Sequence, residues 1–308
     1  MDSRDIIQEP KKIEGNKFLE EIYEMQKGLL ERYIGIEGLP QYPIDINTKA
    51  SQTLLKDFTS RIVEELSEGY ESFQLVSECF EKNQAKIIRE GGDTPEYVEV
   101  LNHLQNANEE NADAIHFFVE LLIYANIQPE DIKSYIIKEY KNYYDNWNYR
   151  NKFFGNNEDR DNILSLAMSV GYQLLADSGY IEKTYSGNLK NLLKEYCEMS
   201  PNDHLIDGFN EKLMLGGRMY NLEDYSLQYP FILWKITHHL NIARNFLKNK
   251  PWKQSQVMTQ ELKYQAELVK AFIYFCGYLS WIDMCSENVF YIYFKKNYVN
   301  RFRQKSNY

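Results

Sequence analysis

The stretch AIHFFVELLIYA, residues 114–125, is apolar on nearly every side and is broken only by His116 and Glu120. A helix of this kind has no solvent face, so other elements must enclose it. It is also too short to cross a bilayer, which takes about 20 apolar residues. No other run reaches that length without interruption. The chain is therefore expected to build a protein core around this segment, with no membrane as partner.

The flanking sequence supplies amphipathic helices to enclose it. In KFLEEIYEMQKGLLERYI (17–34), Phe18, Ile22, Met25, Leu29 and Tyr33 recur at steps of three and four, the period of a one-sided helix. Helices are also expected over 50–82 and 95–126, and QPED (128–131) starts another that runs to about residue 147. The polar, punctuated stretch 150–162 divides the chain into units 1–155 and 156–308. Beyond it, apolar helices are expected near 163–178, 185–198, 226–248, 257–280 and 286–303. No stretch alternates as a strand does. The 15 Gly and 8 Pro among 308 residues are too few for a turn-rich sandwich or barrel. The expected fold class is all-α, a helical bundle.

The two units resemble each other. The segment from Glu110, ENADAIHFFVELLIYANIQPEDIKSYIIKEYKNYYDN, lies without a gap against the one from Glu267, ELVKAFIYFCGYLSWIDMCSENVFYIYFKKNYVNRFR. Each is an acid-led apolar helix, a short turn, then an aromatic and basic helix. Agreement in element length as well as residue class points to two degenerate helical repeats.

Charge and cysteine usage narrow the function. A net charge of −10 argues against a general basic surface for nucleic acid. The four cysteines, at 79, 197, 276 and 285, form no CxxC pair, and the first residues lack an apolar leader core. A reducing cytoplasm is the expected location.

Two acidic pairs stand out. IVEELSEGYESF contains Glu65-x-x-Glu68, and Glu65 falls at the edge of the apolar stripe Phe58, Ile62, Leu66, Gly69 and Phe73, while Glu64 and Glu71 point to solvent. EENADAIHFFVELLIY contains Glu110-x-x-Asp113, on one face with Phe117, Leu121 and Tyr124. Buried carboxylates are costly unless paired or bound to metal. Four hard oxygen donors brought together suit Mg²⁺, with Mn²⁺ as a substitute. His103, His116 and His204 have no partner at ligand spacing and are expected in core or surface roles.

The ExxE and ExxD pairs resemble those of the all-α nucleoside triphosphate pyrophosphohydrolases, which include MazG-like proteins, dimeric dUTPases and phage dCTP/dUTP pyrophosphatases. KKNYVNRFRQ (295–304) is similar to the signature with which dimeric dUTPases close over the nucleotide, through Lys296, Asn297, Asn300, Arg303 and Gln304. Gln26 resembles the family's glutamine at the pyrimidine edge, and Trp252 and Lys253 its Trp-Lys motif. The resemblance implies a MazG/dimeric-dUTPase type of bundle and Mg²⁺-dependent hydrolysis of a pyrimidine deoxynucleoside triphosphate, dUTP foremost, to the monophosphate and pyrophosphate. It implies that Glu65, Glu68, Glu110 and Asp113 hold metal, with Glu65 orienting or deprotonating the attacking water. Substrate-binding roles fall to Gln26, Trp252, Lys253, Lys296, Asn297, Asn300, Arg303 and Gln304. A cytoplasmic protein of a cell or a phage-infected host is implied, with a nucleotide as its partner and a homodimer left open. A broader dNTP pyrophosphatase, or a nucleotide-sensing or protein-binding relative without turnover, would share much of this pattern.

The chain departs from the family in informative places. KEYKNYYDNW stands where a complete first repeat would carry the closing signature. In the second repeat Lys270 replaces the metal-binding Asp, and THHLN (237–241) puts His238 and Asn241 at the counterparts of Glu65 and Glu68. The expectation is one composite site, with metal ligands from the first repeat and the nucleotide clamp from the second. Residues 295–308 carry little apolar area, so they are expected to be mobile without ligand and ordered with it.

Overall fold

The computed structural model describes residues 10, 12–90, 94–153, 161–179, 181, 213–215, 218–220, 222–248, 258–282 and 284–305. Nine α-helices are present among them: α1 (Phe18–Glu37), α2 (Lys49–Glu90), α3 (Pro95–Tyr124), α4 (Pro129–Glu139), α5 (Lys141–Phe153), α6 (Ile163–Asp177), α7 (Leu222–Phe246), α8 (Glu261–Trp281) and α9 (Ser286–Lys305). The fold is an all-α bundle. Two strands of three residues, β1 (Leu213–Leu215) and β2 (Arg218–Tyr220), pair antiparallel between α6 and α7. They are too short to show the alternation by which a strand is read. The helix expected over 185–198 lies outside the described residues, as do Trp252, Lys253 and His204.

Local chemistry sets the helix starts and stops. Thr94 caps α3 by accepting from the Tyr97 N–H at 3.3 Å, with Pro95 in the first turn. Asn126 ends that segment with φ 57°, a left-handed conformation that Asn tolerates better than most residues. Asp131 accepts from the Gln128 N–H at 2.8 Å and starts α4. The single helix expected to reach residue 147 is instead broken at Tyr140, where φ is −127° and ψ is 39°. The Tyr140 ring stands edge-on to Tyr135 and Tyr143 at that corner.

The central segment is enclosed as its composition requires. Ala114, Ile115, Phe118, Val119, Leu121, Leu122, Ile123 and Tyr124 are all buried. α2 packs along α3, and α7 along α8. α8 crosses α6 so closely at Gly277 and Gly171 that a methyl group on either would overlap the other's backbone. One continuous cluster of buried side chains draws on both halves of the chain. Among the described residues no single helix is long and apolar enough to cross a membrane; α8 and α9 would do so only as a pair bent by 103°.

Up to Lys305 the closing segment is the second half of α9, which docks on α1 and α3. Tyr293, Asn297 and Val299 are buried, and Asn297 donates to the Met25 carbonyl at 3.5 Å and to the Tyr293 hydroxyl at 3.3 Å. Polar anchors of this sort hold a helix that apolar area alone would not.

Helix ends also match between the halves. α3 and α8 end at Tyr124 and Trp281, and α4 and α9 begin at Pro129 and Ser286, both at the 157-residue offset that relates Glu110 to Glu267.

Candidate functional site

The packing of α2 against α3 brings three of the four expected acids together. One carboxylate oxygen each from Glu65, Glu68 and Glu110 lies within 4.8 Å of the others. Asp113, one turn along α3 from Glu110, is turned instead to α9, where Lys296 Nζ is 2.6 Å from its Oδ2. This pair is largely enclosed, with the two side chains 11% and 21% exposed.

Crowding of negative charge shows in the protonation of the acids. Burial, then the charges of Asp113, Glu110 and Glu68, push the Glu65 carboxyl up to about 8, and its hydrogen bond to Glu110 acts in the same direction. Burial raises Glu110 as well, followed by Asp113, while the Lys296 ammonium opposes the rise. Without metal, Glu65 therefore keeps a proton at neutral pH and shares it with Glu110. Metal–oxygen bonds of about 2.1 Å in an octahedron place neighbouring ligands about 3 Å apart and opposite ones about 4 Å apart. The spacing of the three carboxylate oxygens, within 4.8 Å of one another, is compatible with part of such a donor set.

Beside the acids lies a buried polar seam between α1, α3 and α9. The Tyr293 hydroxyl donates to Gln26 Oε1 at 2.7 Å, and the Tyr293 ring stacks on His116 with centroids 4.2 Å apart. His116, expected in a core or surface role, is buried and lines this seam. Its Nδ1 meets the Ala112 carbonyl at 2.8 Å, and burial depresses its pKa to about 4. The ring is thus neutral, with the Nδ1 proton donated and Nε2 left as an acceptor. Among the described residues, His116 Nε2, Asn297 Oδ1 and Arg301 Nε are buried with no hydrogen-bond partner. Native interiors rarely leave such atoms unpaired, and orphans from α3 and α9 line a single seam.

The other expected residues fall in varied places. Gln26 and Asn297 line the seam, and the Gln304 amide lies beside the Tyr33 hydroxyl. Asn300 is half-buried on α9 and Arg303 is exposed. Arg301, which the sequence did not single out, donates from Nη2 to the Met25 carbonyl at 3.3 Å, and Gly28 leaves room for its guanidinium.

In the second half the acid at the equivalent position is neutralised. Glu267 accepts from Lys270 Nζ at 2.9 Å and pairs with His239 Nδ1 at 2.7 Å. Burial works against the Glu267 charge, but these two hydrogen bonds hold its pKa below the ordinary carboxylate value. The histidine that meets Glu267 is His239, the neighbour of His238 on α7. His238 and Asn241 are both exposed, and His238 stacks on Trp234 with centroids 5.1 Å apart.

No protein-family model matches this chain, and comparison with curated proteins and with solved structures finds no match either.

Proposed function

We propose that the chain is a Mg²⁺-dependent nucleoside triphosphate pyrophosphohydrolase that converts a pyrimidine deoxynucleoside triphosphate, dUTP foremost, to the monophosphate and pyrophosphate. The observation that carries this reading is the Lys296–Asp113 ion pair. It joins the acid cluster of the first half to the basic helix of the second, so metal-binding and phosphate-binding groups stand side by side. Hydrolysis of a triphosphate needs both, one to neutralise phosphoryl oxygens and one to activate water.

Glu65, Glu68 and Glu110 would hold the metal, joined by Asp113 once Lys296 leaves it. Bound there, Mg²⁺ supplies Lewis-acid polarisation of the phosphoryl oxygens and lowers the pKa of the attacking water. Glu65 carries a proton at neutral pH; the charge of a divalent cation held there would favour its loss, and the ionised carboxylate would then orient the attacking water or take a proton from it. Lys296 exchanges Asp113 for a phosphate oxygen. Asn300 and Arg303, on the same helix as Lys296, extend the clamp along the sugar and phosphates. The seam lined by Gln26, His116 and Asn297 would take the base, whose edge would supply the partners that His116 Nε2 and Asn297 Oδ1 lack.

The same reading makes the fold a MazG/dimeric-dUTPase type of bundle with two degenerate repeats. The matched helix ends and the Glu110–Glu267 correspondence favour it. Both contributions come from one chain, so a homodimer is compatible with the site without being required by it. A cytoplasmic protein acting on the free nucleotide pool accords with this chemistry. The test is pyrophosphate release by the purified protein with Mg²⁺ and a panel of dNTPs. Release greatest with a pyrimidine deoxynucleotide is expected, and none from any dNTP refutes the proposal.

A further inference from the structure

Phe58 stacks on Tyr124, while Gly69, further along α2, lies against Ala107 and Glu110, so α2 and α3 run antiparallel. Facing side chains follow one another at successive turns of the groove between them. Glu68 meets Glu110, and Glu65 bonds to Glu110 and feels the charge of Asp113. One turn on, Arg61 lies over Phe117, its guanidinium carbon 5.5 Å from the ring centroid, and over Phe58 at 5.8 Å. The groove thus passes from acids to a cation within about 6 Å along the helix axis.

Arg61 is well placed and lightly held. Its Nε is 3.0 Å from Asp57 Oδ2 on the same helix, and the two side chains are 51% and 53% exposed. Exposed pairs of this kind contribute little to stability. Among the described residues nothing hydrogen-bonds to its two Nη groups. Glu120, one turn beyond Phe117 on α3, is 6% exposed, and burial pushes its pKa up to about 8. It is neutral at pH 7 and does not compensate the guanidinium. A planar fork held flat on two rings, with both Nη groups open, suits two oxygens of one phosphate.

The second half supplies a comparison. Lys235 lies over Tyr274 at 5.1 Å, one turn from His239 and Lys270, as Arg61 lies over Phe117 one turn from Glu65 and Asp113. Where the acid cluster is missing, a lysine covers the ring. Covering a ring needs only a cation, whereas gripping a phosphate at two oxygens needs the fork.

We propose that Arg61 binds the terminal phosphate of a nucleoside triphosphate, exchanging Asp57 for its oxygens, so that the site prefers triphosphates to diphosphates. This rests on the pyrophosphohydrolase reading and names the substrate class of that same site. A polyphosphate anchored at the acids runs along the groove, and a diphosphate stops short of Arg61.

The test is calorimetric binding of α,β-imido-dUTP and α,β-imido-dUDP with Mg²⁺. The unmodified protein is expected to bind the triphosphate about tenfold or more tightly than the diphosphate. Arg61→Met, which still covers the rings, loses about tenfold for the triphosphate and almost nothing for the diphosphate. Arg61→Lys, a point charge in place of the fork, recovers only part of that loss. Lys235→Met, the same change on the matching turn of the second half, leaves both affinities unchanged. Three results overturn the inference alone: equal binding of the two analogues by the unmodified protein, Arg61→Met weakening both alike or neither, or Lys235→Met reproducing the loss. If Arg61→Met does not fold, Arg61→Lys decides, and triphosphate binding equal to that of the unmodified protein overturns the assignment. If the unmodified protein binds neither analogue, the proposed function falls, and this inference with it.

Discussion

Replacing Lys296 by Met should make the protein bind Mg²⁺ more tightly when no nucleotide is present. Lys296 Nζ lies 2.6 Å from Asp113, and on the proposed reading it occupies a carboxylate that the metal would otherwise use. Two unit charges 4 Å apart interact by about 4 kcal/mol at the effective dielectric of a protein surface. Solvent screening and the freedom of a long side chain to swing aside reduce the repulsion felt by an incoming cation to about 1.5–3 kcal/mol, or tenfold to a hundredfold in Kd. Loss of the ammonium also releases Asp113 as a fourth ligand. In the absence of metal the same change should destabilise the fold, since it leaves the acids without their nearest counter-charge.

Calorimetric titration with Mg²⁺, or Mn²⁺ followed by electron paramagnetic resonance, reads the affinity directly. Lys296→Arg keeps the charge and should behave like the unmodified protein. When α,β-imido-dUTP is included, the order should reverse, because Lys296→Met has lost its phosphate contact. Equal or weaker metal binding by Lys296→Met without nucleotide, with helix content unchanged by circular dichroism, would refute the idea that the ammonium and the metal compete for Asp113.

Glu65→Gln and Asp113→Asn should each abolish pyrophosphate release while leaving the helical circular dichroism intact; near-normal turnover by either removes the metal-site assignment. Glu120→Gln should stabilise the protein by about 3 kcal/mol at pH 7 and by little near pH 4. The sign follows from a folded pKa of about 8, above the unfolded value near 4.5: the folded acid's contribution is complete below the lower value and is lost as pH rises through the upper one. Equal denaturant midpoints for the two proteins at both pH values would sink that account. Deleting residues 295–308 should lower the melting temperature as well as turnover, since it removes buried Asn297 and Val299; an unchanged melting temperature would mean that α9 does not hold α1 in solution. Glu267→Gln should leave Mn²⁺ stoichiometry unchanged, whereas a lower count would place a metal in the second half.

The parts of this architecture that were legible in the sequence share one property, a pattern confined to a single helix. The enclosure of 114–125, the inward tilt of Glu65 and the outward direction of Glu64 and Glu71 follow from residue spacing alone. Features that depend on two helices were not legible. His238 and His239 differ by about 100° around α7, and only the packing of α7 on α8 decides which meets Glu267. Asn297 looks like a surface residue until the backbone of α1 is set against it. His116 gave no signal because the partner it stacks on is Tyr293 of α9, far along the chain. The anchoring of 295–305 was illegible for the same reason: its apolar area could be counted, and its hydrogen bonds to another helix could not be.

A lysine faces an acid in each half, yet the two arrangements differ in what they permit. Lys270 lies three residues from Glu267 on the same helix, so the pair forms whenever α8 forms and no ligand needs to be displaced to maintain it. With His239 on its other oxygen, Glu267 has no strong reason to accept a divalent ion. Lys296 reaches Asp113 from a different helix, and its flexible stem can carry the charge to another anion nearby. An ammonium held by its own helix silences an acid, whereas one lent by a neighbouring helix leaves the acid exchangeable. On the proposed reading, Lys296 would steady the acid cluster of the first half before ligand binds, and a triphosphate that drew Lys296 away would expose Asp113 to the accompanying metal.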